Sequence, residues 1–327
     1  MILDVTRHKF SEALLTLLAF AVVAAVVAGV LYPDASNIVG GAEAPLQLFI
    51  SQFKIAHPTL SAVLLGALYV YLVLRLTRST VRVDIYPSTT LSAIALSAVA
   101  LFGALLTPDY AVSIVVALFV AEAYGRLLYC FSPSLRPHYL FSAMMALGAL
   151  PLFDRTFVAL SLVVPLYVII SRATLRETAL TLIGLAAPTF IYCYVMWLMG
   201  ADFVASFEAV WMDNLVSSHL TLASYLTIPR LVYLGVVLFL QLLTSVLYLS
   251  KPLPLSGGAR DVWRLLHLSV VVLLVSLFLL PAASPSIVVA MSLLVAVMLP
   301  LLFQFASAVN AALAYLLLVF ATFAPLL

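Results

Sequence analysis

The chain has 327 residues, of which 65% are hydrophobic and 9% charged, with a mean hydropathy of +1.23 and a formal net charge of +2. That composition excludes a soluble globular domain, and the near-neutral charge gives no footprint for nucleic acid. Apolar runs of about 20 residues, enough to cross about 30 Å of hydrocarbon as helix, recur from end to end, whereas the alternating segments of an outer-membrane barrel are missing.

The first apolar run, about Ser11 to Tyr32, follows Arg7, His8 and Lys9. It is too long for a signal peptide and lacks a small-residue cleavage site, so it is read as a retained span. In the loop from Pro33 to His57, Leu46, Phe49, Ile50 and Phe53 recur at i, i+3, i+4 and i+7, which predicts a short amphipathic helix lying in the interface. The second span, Pro58 to Leu76, returns to a turn carrying Arg75, Arg78 and Arg82. A third, Ile85 to Leu106, reaches the turn Thr107-Pro108-Asp109-Tyr110, and a fourth runs from Ala111 to Cys130.

From His138 to Ser171 only 34 residues are available. At about 1.5 Å per residue they form either two short crossings or a re-entrant pair, with Asp154-Arg155 at the tip. A further span covers Thr178 to Met199, which Gly184 and Pro188 are expected to break. Phe203, Phe207, Val210, Trp211 and Leu215 then predict a second interfacial helix. Spans over Thr227 to Leu249 and Val262 to Leu280 flank a turn with Lys251, Arg260 and Arg264. Two final apolar segments, Ser286 to Phe303 and about Ser307 to Pro325, are joined by a weakly marked link at Gln304.

Placing the N-terminus inside puts 12 of the 15 Lys and Arg residues on the inner face, leaving only Lys54, Arg155 and Arg230 outside. The positive-inside rule therefore sets the orientation. The expected fold is all-α: residues 1–327 form one integral membrane domain, a polytopic bundle of about eleven spans, or nine plus a re-entrant hairpin. Two amphipathic helices lie in its outer loops, and the N-terminus is cytoplasmic.

Charges within such a body mark the candidate sites. Asp154 and Arg155 at the hairpin tip, with Arg172 beyond it, are candidate substrate-binding residues, because ionised groups at membrane depth are costly and usually functional or paired. Glu122 and Arg126, four apart on one face of the fourth span, are expected to form an intramembrane ion pair. His267, Gln241, Gln304 and Asn310 read as helix-to-helix hydrogen-bonding residues. Cys130 and Cys193 fall at opposite ends of their spans, which makes them poor candidates for a bridge, and are read as buried thiols acting as small apolar residues. Among the outer carboxylates, Asp34, Glu43 and Asp109 are the candidates for a catalytic role, since carboxylates gathered above a membrane suit a divalent cation or a general base. No metal-ligand set and no cofactor motif is present. The Walker loop, Gly-x-Ser-x-Gly, His-Glu-x-x-His and Cys-x-x-Cys are all missing, so nucleotide-driven transport by this chain alone is not expected.

Leu152-Phe153-Asp154-Arg155, Arg172 and the stretch Gly184 to Pro188 resemble an uncharacterised family of bacterial polytopic inner-membrane proteins of unknown function, over roughly residues 110–200. The resemblance implies a bacterial cytoplasmic membrane and carries over no site. The outer acidic residues are also distantly similar to multi-span glycosyltransferases that use polyprenyl phosphates, without the paired acidic motif of that class. The function expected from these features is transport or flipping of a lipid-linked or amphiphilic substrate in cell-envelope biogenesis, because an interrupted short hairpin often lies at a transporter's binding site. A polyprenyl-phosphate-dependent transferase and a membrane scaffold for partner proteins are the alternatives. Membrane lipids are the expected partners.

Overall fold

Hydrocarbon offers no partner to a backbone N–H or C=O, so a chain this apolar satisfies its peptide groups within its own segments, as helices do. The computed structural model describes residues 10–31, 44–82, 92–107, 109–131, 137–172, 174–211, 227–250, 257–279 and 284–326, and all regular structure among them is helical. The helices are α1 (Phe10–Leu31), α2 (Gln47–Ala56), α3 (Pro58–Arg82), α4 (Ser92–Leu105), α5 (Tyr110–Cys130) and α6 (Pro137–Phe153). A short 3-10 turn (Arg155–Phe157) leads into α7 (Val158–Arg172). Then come α8 (Leu175–Leu198), α9 (Phe203–Trp211), α10 (Ile228–Ser250), α11 (Gly257–Leu279), α12 (Ser286–Phe305) and α13 (Ala308–Phe323). Seven of them, α1, α3, α5, α8, α10, α11 and α12, are long and apolar enough to cross a membrane. Four more, α4, α6, α7 and α13, are apolar but shorter.

The bundle is built around α12. Every residue from Ser286 to Phe303 is buried, and α4, α5, α10 and α11 pack against it. A helix that is apolar all round belongs where it meets no water, and here it meets no lipid either. Outside this pillar, small residues rather than hydrophobicity select the packed faces, because lipid is as apolar as a core. On α1, Ala13, Leu17, Ala21, Ala24 and Ala28 are buried, while Leu15, Val22, Val26 and Val30 are exposed. Gly66 of α3 approaches Ala21 of α1, and Gly103 of α4 lies against Tyr233 of α10 and Thr322 of α13.

Hydrogen bonds between helices reinforce these contacts. The Tyr69 hydroxyl donates to the Ala98 carbonyl, Tyr124 bonds Ser269, and Tyr233 reaches both the Ala100 carbonyl and Ser292 Oγ, the last at 2.9 Å. His267 joins α11 to α10 through Ser245 (2.6 Å), its other ring nitrogen donating to the Trp263 carbonyl (2.7 Å). Cys130 and Cys193 are buried and unbridged.

One expectation fails. Gly184 and Pro188 do not break α8, which runs without interruption from Leu175 to Leu198. Gly184 is there for proximity: a Cβ at that position would meet the Phe141 carbonyl oxygen at 2.8 Å and Met144 Cβ at 2.9 Å. Gly148 on α6 is tighter still, 2.1 Å from the Leu185 carbonyl oxygen on the same measure. The two glycines bring the backbones of α6 and α8 together.

Candidate functional site

Glu122 lies eight residues before the end of α5, about 12 Å along the helix from it. Its carboxylate collects three partners. Arg75 of α3 grips it with two donors, Nε to Oε1 at 2.8 Å and Nη2 to Oε2 at 3.1 Å. Arg126 Nη2, one turn further along α5, stands 3.2 Å from Oε2, and the Tyr71 hydroxyl donates to Oε1 at 3.1 Å. Arg126 also donates to the Ser142 carbonyl of α6 at 3.3 Å, so the cluster ties three helices together. Two guanidinium groups face one carboxylate, which leaves an excess of one positive charge. The sequence paired Glu122 with Arg126 alone. The third member was findable by depth, because Arg75 is seven residues from the end of α3 on the same side of the bundle.

Tyr71, Glu122 and Arg126 of this cluster line one end of an open cavity of about 710 Å3 between α5, α6 and α8. Leu118 and Phe119 form one wall, and Ile191, Tyr192 and Val195 the other. Between them the short side chains of Ala146 and Ala149 and the ring of Pro188 leave the space open. Along α6 the lining extends from Ser142 to Phe153, about 16 Å at the rise of an α-helix. The result is an apolar trough with polar groups concentrated at one end.

The hairpin tip closes the other end. Leu46 lines the cavity beside Leu152 and Phe153, and its N–H donates to the Leu152 carbonyl at 2.9 Å, which fixes the start of α2 over the tip. Asp154 follows directly. Its Oδ1 accepts from the Thr156 N–H at 3.0 Å and the Thr156 hydroxyl at 2.5 Å, capping the 3-10 turn. The side chain is buried, and loss of hydration pushes its carboxyl above the usual carboxylate range. Arg155 is near enough to the Tyr192 hydroxyl to act on it electrostatically.

Asp109, at the start of α5, lies within electrostatic reach of Lys54, Asp154 and Arg230. Burial raises its carboxyl, and Lys54 opposes the rise. Lys54 itself is the buried residue of α2, its Nζ 4.7 Å from the centre of the Tyr110 ring, with desolvation lowering its ammonium and Asp109 acting against that. The three bases assigned to the outer face thus gather around the turn and the hairpin tip.

The other sequence candidates separate. Arg172 ends α7, 17 positions after Arg155 and about 25 Å away along the helix, so it does not share a site with Asp154 and Arg155, and its side chain lies outside the described residues. Asp34 and Glu43 also lie outside the described residues. Among the described residues no group of three or more His, Cys, Asp or Glu side chains is placed to hold a metal ion. Compared with family models, curated proteins and solved structures, the chain matches none.

Proposed function

We propose that the protein binds and translocates an amphiphile with an anionic head, such as a lipid-linked phosphate. The apolar tail would lie in the trough between α5, α6 and α8, with the head at Arg75, Arg126 and Glu122. The observation that carries this reading is the polarity of the cavity: an apolar trough about 16 Å long that ends at Glu122 and Arg126, with Arg75 behind them on the same carboxylate. In the proposed topology the seven long helices and the four shorter ones all cross, giving eleven spans, and α2 and α9 lie along the outer interface. The setting is a bacterial cytoplasmic membrane with the N-terminus inside, and the role is in building the cell envelope.

The scaffold alternative expects a bundle without a cavity, and the trough speaks against it. The transferase alternative rests on Asp109 alone among the described residues, and a carboxylate held between Lys54 and Arg230 suits a structural role better than a general base.

The test is lipid retention and movement. Native mass spectrometry of the purified protein should find an anionic lipid bound. Ala149→Trp, which fills the trough, should reduce its occupancy about tenfold, equivalent to about 1.4 kcal/mol. In proteoliposomes the same variant should slow the loss of a head-labelled anionic lipid to an impermeant quencher. Equal retention and equal rates in the filled variant and the parent protein would count against the proposal.

A further inference from the structure

Asp154 is 3% exposed, and only one of its carboxyl oxygens is spoken for. Oδ1 receives both Thr156 donors, while Oδ2 is buried and makes no hydrogen bond among the described residues. An unpaired carboxylate oxygen removed from water is expensive, and holding a proton relieves the cost. The hydroxyls of Ser284 and Ser286, at the start of α12, approach the carboxyl without bonding Oδ2. They belong to a chain of hydroxyls: Ser284 Oγ donates to Ser286 Oγ at 3.1 Å, and Ser286 Oγ lies 3.3 Å from Ser113 Oγ on α5. The Ser113 N–H in turn donates to the Asp109 carbonyl at 3.0 Å, so the chain ends one turn from a second, less buried carboxyl.

We infer that Asp154 is a proton-binding site, reached from the Asp109 side through the hydroxyls of Ser113, Ser286 and Ser284. This assignment is independent of what occupies the trough. With the proton bound, Oδ2–H donates to a serine oxygen, and Ser284 keeps its bond to Ser286. On release, the Ser284 hydroxyl turns to donate to Oδ2, and its bond to Ser286 breaks. Hydroxyls suit the task because each both donates and accepts. The charged groups around the site are Asp109 from the turn before α5, Lys54 of α2 and Arg230 of α10, both acting on Asp109, and Arg155 on Asp154's own turn, reaching Tyr192 of α8. Among the described residues near it, α12 contributes hydroxyls only. Protonation at the tip is thereby linked to the first turn of the central helix.

Infrared difference titration of the full chain in lipid nanodiscs tests this. The protonated-carboxyl stretch should persist to a pH above the ordinary carboxylate range, lose its Asp154 component in Asp154→Asn and keep that component in Asp109→Asn. Ser284→Ala and Ser286→Ala, which leave the carboxyl in place, should move the midpoint upward, because each removes a hydroxyl that favours the anion. The serine variants decide the matter even if Asp154→Asn fails to fold. A band lost only in Asp109→Asn, no band above the ordinary range, or a midpoint unmoved in both serine variants would overturn the inference.

Discussion

Replacing Gly148 by alanine adds one methyl group where α6 meets α8. That carbon would sit 2.1 Å from the Leu185 carbonyl oxygen, 2.9 Å from its carbonyl carbon and 3.1 Å from its Cα. A carbon and a carbonyl oxygen rest at about 3.3 Å, so the shortfall is about 1.2 Å. Both atoms are fixed to helical backbone, and no side-chain rotation can relieve the clash. The helices must part by about that distance, and a gap of 0.5–1 Å already forfeits roughly a quarter to a half of each dispersion contact along the seam. Overpacking ordinarily costs about 1–3 kcal/mol, and a backbone-on-backbone clash belongs at the upper end, so we expect Gly148→Ala to destabilise by about 3 kcal/mol. Gly235 on α10 is the control: nothing lies within 4 Å of the place an added methyl would take, and alanine there should be neutral or stabilise by up to about 0.5–1 kcal/mol. Reversible unfolding of both variants in mixed micelles, followed by helical circular dichroism, gives the comparison. A Gly148→Ala cost within about 0.5 kcal/mol of Gly235→Ala would refute the close-approach argument.

Glu122→Gln should destabilise by about 2–3 kcal/mol in the same assay, below the range for a fully buried pair because the side chains retain 21–32% exposure. Arg126→Gln should cost less, since Arg75 and Tyr71 still hold the carboxylate. Tyr233→Phe removes the hydroxyl that bonds the Ala100 carbonyl and Ser292 and should cost about 1 kcal/mol. Stability should also depend on acid. Asp154 and Asp109 are both raised on folding, so the native state binds more protons than the unfolded chain just above about pH 3.9, and stability falls as pH rises through that window. Asp154→Asn should flatten the fall, and thermal unfolding across pH would report it. Lys54 is lowered on folding, so its contribution has the opposite sign and recovers stability with rising pH in the alkaline range below about 10.4.

Helix positions were legible because crossing lengths and turn residues are written locally. Helices form over Gln47–Ala56 and Phe203–Trp211, where aromatic spacing predicted them. Which faces pack was not legible from hydrophobicity, since lipid and protein interior are equally apolar; the alanines of α1 carry that information instead. Gly184 and Pro188 read as a break because both weaken isolated helices, yet in α8 one permits close packing and the other lines a cavity without ending the helix. On α2 the aromatic stripe is written locally, whereas the burial of Lys54 on its protein side is not, because its partners Tyr110 and Asp109 are more than fifty residues away. Arg75 is likewise 47 residues from Glu122, and only its matching depth in the bundle points to the pairing. Pairings of that kind leave no periodic trace.

The enclosure of α12 has a consequence for how the molecule is made. Its neighbours α4 and α5 leave the ribosome about 160 residues or more before Ser286 does, and among the described residues α12 is the helix that packs against α4, α5, α10 and α11 together. In a bilayer those earlier helices would have lipid standing in for the missing sibling. Closure of the bundle is therefore a late event that depends on distant parts of the chain. Agents that stall synthesis just before that segment should yield a loosely joined bundle lacking its centre, readily cut by proteases.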